Sequence, residues 1–95
     1  MQQFFTETDI QQALAKHLRS LREQQKLSRD GLAQRSTVPA ATIKKFELTG
    51  QISLRQLLLL WQSLDDLSRL HQLTVDTREK PPIPESIDEV LKGGI

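Results

Sequence analysis

The 95-residue sequence has no cysteine, no tyrosine and only one tryptophan, and these shortages narrow the class of protein. Without cysteine there can be no disulfide, no cysteine-bound zinc and no thiol catalysis. The two histidines, His17 and His71, are far apart and lack companions at metal-ligand spacing, so we expect no metal site. No apolar run approaches the roughly 18 residues of a membrane span. The N-terminal MQQFFTETD lacks the basic and apolar regions of a secretory signal, so we expect a cytoplasmic protein.

Signatures of catalysis are also missing from the sequence. It contains neither a phosphate-binding glycine loop nor a G-x-S-x-G nucleophile turn. Asp65 and Asp66 are adjacent carboxylates, but neighbouring residues of a helix point apart, and helix capping accounts for both. A chain of this length builds one small domain. We therefore expect neither enzymatic activity nor a cofactor.

The net charge of +1 conceals an uneven distribution. Residues 11–50 contain three acidic residues and eight basic ones, which are Lys16, Arg19, Arg22, Lys26, Arg29, Arg35, Lys44 and Lys45. The segments on either side are slightly acidic. A basic block in a nearly neutral chain indicates a surface that faces a polyanion, although a solvated helix face has a similar composition.

Hydrophobic spacing predicts an all-α fold of five helices. The first helix is predicted from an N-cap near Thr8 to about Gln25, with polar residues, including Arg22, on its outer faces. Its inner stripe comprises Ile10, Leu14, Leu18 and Leu21. Caps and breakers place the other helix ends at Ser28, Pro39, Gly50, Ser53 and the pair Asp65–Asp66.

The stretch LSRDGLAQRSTVPAATIKKFELTG, residues 27–50, carries the most informative pattern. Six residues fall at the inward positions of two short helices joined by a tight turn: Leu32, Ala33, Ser36, Val38, Ile43 and Phe46. This stretch resembles the phage-repressor type of helix-turn-helix domain, the XRE family, and the resemblance extends over residues 10–73. Thr37 departs from the family, because glycine is common there and the turn tends toward positive φ. Gly31 stands where a better helix former is usual. The alternative is a generic five-helix bundle with this spacing by chance.

The resemblance implies which residues contact DNA. In this fold the second helix of the motif places its N-terminal end in the major groove. Its outward residues read bases, and residues near the start of the preceding helix hold phosphates. The expected DNA-binding residues are Lys26, Arg29, Ala40, Ala41, Thr42, Lys44 and Lys45. The alternative for the lysines is a solubilising surface.

The fourth predicted helix contains five consecutive apolar residues, Leu57 to Trp61. A helix that is apolar on every side is expected to be buried on every side. In a chain this small, a symmetric homodimer is the simplest way to bury it, and it would present two recognition helices to a pseudo-palindrome. The predicted interface comprises Leu57, Leu58, Leu60, Trp61 and Leu64. The alternative is a monomer that exposes two or three leucines.

Residues 42–73, TIKKFELTGQISLRQLLLLWQSLDDLSRLHQL, resemble HipB-type antitoxins. A lead-in at 1–9 precedes the domain, and a proline-rich tail at 74–95, with a short helix predicted at 86–91, fits the same group. The resemblance implies a repressor of its own operon that joins a HipA-like serine/threonine kinase toxin, intact or split. The alternatives are a stand-alone phage or metabolic repressor, and a protein-interaction module that does not bind DNA.

Overall fold

A computed structural model of the protein describes residues 4–75, which fold into five helices without any strand. The helices are α1 (Glu7–Gln24), α2 (Arg29–Ser36), α3 (Ala40–Thr49), α4 (Leu54–Leu64) and α5 (Ser68–Gln72). The predicted all-α class is confirmed for this part of the chain. No helix in it is long and apolar enough to cross a membrane. The predicted short helix at 86–91, and the tail beyond Val75, lie outside the described residues.

The first helix begins earlier than its predicted cap. Thr6, not Thr8, is the N-cap: the backbone N–H of Asp9 donates to Thr6 Oγ1 at 3.1 Å, and the backbone N–H of Thr6 donates to Asp9 Oδ2 at 3.0 Å. Two N–H groups that a helix start leaves without partners are thus satisfied reciprocally. The predicted cap at Thr8 was wrong, whereas Asp9 lies in the first turn as predicted; its carboxylate reaches back to residue 6 and so favours Thr6 as the cap.

Most other helix ends lie where the sequence predicts them. Ser28 and Ser53 cap α2 and α4, and each hydroxyl accepts a hydrogen bond from the backbone N–H three residues later. Pro39 is the N-cap of α3, and Gly50 ends that helix with a φ of 80°. Only a residue that tolerates the left-handed region closes a helix in this way at little cost.

The predicted start of the fifth helix is wrong. Asp65 Oδ1 accepts a hydrogen bond from the backbone N–H of Asp66 at 2.7 Å, and Asp66 Oδ1 accepts one from Ser68 at 2.9 Å. The backbone hydrogen bond from Ser68 lowers the pKa of Asp66. The two carboxylates therefore form a turn between α4 and α5, because short acidic side chains compete with the helix for backbone N–H groups.

One hydrophobic core holds the helices together. Its buried members are Ala15, Leu18, Leu32, Val38, Ile43, Phe46, Leu60, Trp61 and Leu64. The predicted inward residues of 27–50 are confirmed, with Ala33 half-buried. On α1 the prediction was partly wrong: Ile10 is 47% exposed, and the buried line runs through Ala15, Leu18 and Arg22 instead. The inner face of α1 is therefore rotated relative to the leucine spacing, and it ends in a charged residue.

The packing leaves one face of α3 free. α3 contacts α1 and α2, and α4 contacts the same two helices. A Cβ atom at Gly50 would lie 3.1 Å from the backbone carbonyl carbon of Gln11, so the end of α3 lies directly against α1. Between α1 and α4, the ring centroids of His17 and Trp61 are 5.6 Å apart. Since the core takes up one face of α3, its opposite face is left for other contacts.

Candidate nucleic-acid interface

The free face of α3 carries the residues that the sequence predicts to point outward. Ile43 and Phe46 are each 1% exposed and anchor the helix in the core. Ala41, Lys44 and Lys45 are exposed on the other side, whereas Ala40 and Thr42 are half-buried. The helix therefore presents two small residues and two lysines near its N-terminal end.

The connection between α2 and α3 is short and internally bonded. It comprises Thr37, Val38 and Pro39, and Thr37 has a φ of 66°. The sequence contains threonine where positive φ favours glycine, and the backbone is left-handed there nonetheless. Val38 is fully buried, and its backbone N–H donates to the Oγ of the buried Ser36 at 3.1 Å. These contacts set the orientation of α3 relative to α2.

A groove of about 490 Å³ lies between the starts of α2 and α3 and the last turns of α1. We call it the basic groove, and its lining residues are Arg19, Arg22, Ser28, Arg29, Asp30, Ala40, Ala41 and Lys44. The lining thus contains four cationic side chains and one carboxylate, that of Asp30. The methyl groups of Ala40 and Ala41 leave the wall on the α3 side open. A groove of this charge attracts an anion.

A buried carboxylate that the sequence did not predict lies beside two arginines of this groove. The Glu47 side chain is 3% exposed and lies between two arginines. Arg22 Nε and Nη2 donate to its two oxygens at 2.7 Å and 3.1 Å, and Arg29 Nε donates to Oε1 at 2.9 Å. The Nη1 atom of Arg22 also donates to the carbonyl oxygen of Leu27 at 2.8 Å. The cluster links α1, the start of α2 and α3.

Burial alone would raise the pKa of Glu47, but the hydrogen bonds and positive charges of Arg22 and Arg29 outweigh it and lower the pKa below its ordinary value. The carboxylate is therefore ionised at neutral pH. The prediction that Arg22 lies on an outer face was wrong, since it is 8% exposed. Its position, four residues after Leu18 on the buried line, is the signal that could have identified it.

The structure brings together some of the predicted DNA-binding residues and separates others. Arg29 and Lys44 line the basic groove, and Lys45 is exposed on the next position of α3. Lys26 is exposed in the turn after α1, where its φ is 58°, and it is not among the lining residues. Arg29 also pairs with Glu47, which lies on a different helix and is not predicted by the spacing of residues along the sequence.

Several residues of the predicted dimer interface belong to the core of the single chain. Leu60, Trp61 and Leu64 are at most 7% exposed, and the Trp61 Nε1–H donates to the carbonyl oxygen of Asp66. These three side chains are already buried within the single chain, which corrects their assignment to an interface. Leu57 is half-buried against the same core, and Leu58 is half-buried without belonging to it. The apolar run is thus covered largely by the chain's own helices.

Chemically, the arrangement suits the binding of an anion. Within residues 4–75, no group of three or more histidines and carboxylates is arranged to hold a metal ion. The basic groove offers guanidinium and ammonium groups beside an exposed helix face. The chain matches no protein-family model, and no curated protein or solved structure matches it significantly.

Proposed function

We propose that the protein is a sequence-specific DNA-binding transcriptional repressor in which α2 and α3 act as a helix-turn-helix. The observation that carries the proposal is the exposed side of α3, where Ala41 and Lys44 line the basic groove and Lys45 is exposed at the next position. Small residues allow the helix backbone to approach thymine methyl groups, and lysine donates to the acceptors of guanine. The groove supplies cations for the phosphate backbone, which positions the protein without reading sequence.

A protein-interaction module without DNA binding is the less favoured function. It would leave Lys44 and Lys45 without a role, and a partner protein that docked on the free side of α3 would lie beside a cationic groove. Protein interfaces are depleted of charge at their centres and of lysine in general. The free side of α3 has the opposite composition.

The resemblance to HipB-type antitoxins supports a more specific proposal. The protein then acts in the cytoplasm, represses its own toxin–antitoxin operon and joins a complex with a HipA-like serine/threonine kinase. The alternative is a stand-alone phage or metabolic repressor of the same fold. The identity of the neighbouring genes, or capture of partners followed by mass spectrometry, separates the two.

We further propose that the repressor is a homodimer, since two copies of α3 would match the two halves of a pseudo-palindrome. With Leu60, Trp61 and Leu64 taken up by the core, the contacts fall to Leu58 and to exposed leucines such as Leu54. Light scattering tests the dimer directly. A monomer at tens of micromolar would overturn the dimer, and a Leu58→Glu variant that keeps the mass of a dimer would overturn the contact at Leu58.

The DNA proposal is tested by fluorescence anisotropy with a duplex from the region upstream of the gene and a scrambled duplex. Lys44→Ala or Lys45→Ala should weaken operator binding by about 1–3 kcal/mol if the lysine contacts a base. Arg69→Ala is the matched control, because it removes one exposed positive charge from α5. Equal affinity for both duplexes, unchanged by either lysine substitution, would refute the recognition role of α3.

The kinase proposal is tested by truncation. The chain is cut after Val75, because the backbone N–H of Val75 still donates to the carbonyl oxygen of Gln72 and belongs to the folded part. If the tail contributes to the kinase-type partner, the shortened protein keeps its operator affinity and loses partner capture. Loss of DNA binding with retained capture would assign the tail to the dimer or the DNA surface instead.

A further inference from the structure

Arg29 is held by one edge of its guanidinium. Its Nε donates to Glu47 Oε1 at 2.9 Å, and this is the one hydrogen bond that Arg29 donates within residues 4–75. The side chain is 31% exposed and lines the basic groove together with Lys44. A guanidinium carries five N–H donors in a rigid fork. Four of those donors, on the two terminal nitrogens, are thus left for a ligand in the groove.

We propose that Glu47 is a positioning residue for recognition of the DNA backbone: it holds Arg29 by the Nε edge so that the terminal nitrogens of Arg29 and the ammonium of Lys44 bind one phosphate in the basic groove. This inference rests on the proposed function and names the anion that the groove takes. Glu47 touches no DNA in this arrangement. It acts through Arg29.

The physical reason is preorganisation. A free arginine side chain loses rotamer entropy when it binds a phosphate, and that loss weakens the contact. Glu47 already restricts Arg29 in the absence of DNA. The carboxylate is itself held by two hydrogen bonds from Arg22, so it keeps its place when Arg29 engages a phosphate. The three residues together keep one surplus positive charge beside the groove.

Charge counting and positioning predict opposite results when Glu47 is neutralised. Glu47→Gln removes a negative charge from a DNA-binding face, so electrostatics alone predicts tighter binding. Loss of the ionic hydrogen bond frees Arg29 to leave the groove, so positioning predicts weaker binding. Glu7→Gln is the matched control: it removes the same charge from an exposed position in the first turn of α1, and Glu7 does not line the basic groove.

The experiment measures binding of operator and scrambled duplexes over a series of salt concentrations. Glu47→Gln should lower the affinity for both duplexes by the same factor, about tenfold, because one charge-assisted contact is lost. The factor is the same because phosphate contacts do not depend on base sequence. The slope of log K against log salt should become shallower by about 0.9, the value of one phosphate contact. Glu7→Gln should leave the affinity unchanged or raise it. Glu47→Gln that binds as tightly as the parent overturns the proposal.

A second variant tests the role of Arg29 without removing the buried carboxylate, in case Glu47→Gln does not fold. Arg29→Lys keeps the positive charge in the basic groove and leaves the Arg22–Glu47 pair intact, but lysine lacks the paired terminal N–H groups of a guanidinium. Arg29→Lys should weaken binding to both duplexes, whereas Arg69→Lys should leave binding unchanged. Arg29→Lys with parental affinity contradicts the role given to Arg29.

If the parent protein binds neither duplex, the proposed function fails, and a probe without DNA still tests the positioning. Inorganic phosphate should shift the side-chain N–H signals of Arg29 in NMR spectra of the parent protein. The shift should be absent in Glu47→Gln, with Arg69 unaffected in both. Equal shifts in the parent and the variant would overturn the inference.

Discussion

Replacing Arg22 with methionine should remove about 3–5 kcal/mol from the free energy of unfolding, because it leaves a buried carboxylate without its main partner. Arg22 supplies two hydrogen bonds to Glu47 and one to the carbonyl oxygen of Leu27. Arg29 remains beside Glu47 with one hydrogen bond, so the loss should lie near the lower end of that range. Methionine keeps much of the side-chain volume, which limits the contribution from an empty cavity.

The double variant Arg22→Met/Glu47→Leu separates the cost of an unpaired charge from the value of the ion pair. Replacing both members of a buried pair with apolar residues is often neutral. The double variant should therefore be more stable than Arg22→Met by about 2 kcal/mol, with recovery incomplete because Leu27 keeps an unpaired carbonyl. Urea unfolding followed by the fluorescence of Trp61, the single tryptophan, measures both. A loss under about 1 kcal/mol for Arg22→Met, or a double variant no more stable than it, would refute the reasoning.

Three further predictions concern the same framework. The folded-state pKa of Glu47 lies below its ordinary value of 4.5. The stability that Glu47 contributes should therefore be complete above about pH 4.5 and lost as the pH falls through the lower folded-state pKa. Acid unfolding of the parent and of Glu47→Gln measures this loss, and a stability difference that does not depend on pH would contradict the prediction. Gly50→Ala should destabilise the protein by at least about 1–2 kcal/mol in thermal melts, because φ is +80° and Gln11 lies against it. Gly31→Ala should change little, because the gain in helix propensity is offset by a Cβ atom only 3.3 Å from Ser28 Oγ. Thr37→Asn should stabilise the protein by about 0.5–1 kcal/mol, since asparagine tolerates the left-handed region better than a β-branched residue, and a lower melting temperature would count against strain there.

Local rules were sufficient for most helix ends and for much of the core. Ser28, Ser53 and Gly50 act as predicted because a cap is an interaction among residues within one turn, which the sequence alone specifies. The inward positions Leu32, Ile43 and Phe46 follow from helical periodicity for the same reason. The outward side of α3, and with it the positions of Lys44 and Lys45, is the complement of that pattern.

The local errors have local causes. Thr6 and Thr8 are both acceptable caps, and what distinguishes them is the reciprocal bond from Asp9. Asp65 and Asp66 favour a helix start by charge, but their side chains bind the N–H groups of a turn. In each case two local structures compete for the same residue types, and their difference in free energy is too small for a pattern to resolve.

What the sequence by itself determined is the all-helical class, the short turn before α3 and the inward faces of α2 and α3. What only the tertiary structure decided is which of those faces meet. The apolar run of α4 predicts a second chain that covers it, yet Leu60 and Trp61 are buried by the chain's own helices. Arg22 and Glu47 are 25 residues apart in sequence, and their pairing depends on the packing of α1 against α3. Periodicity records that a side chain is buried or charged, but it carries no information about the partner, because contacts between helices are set by three-dimensional packing and not by spacing along the chain.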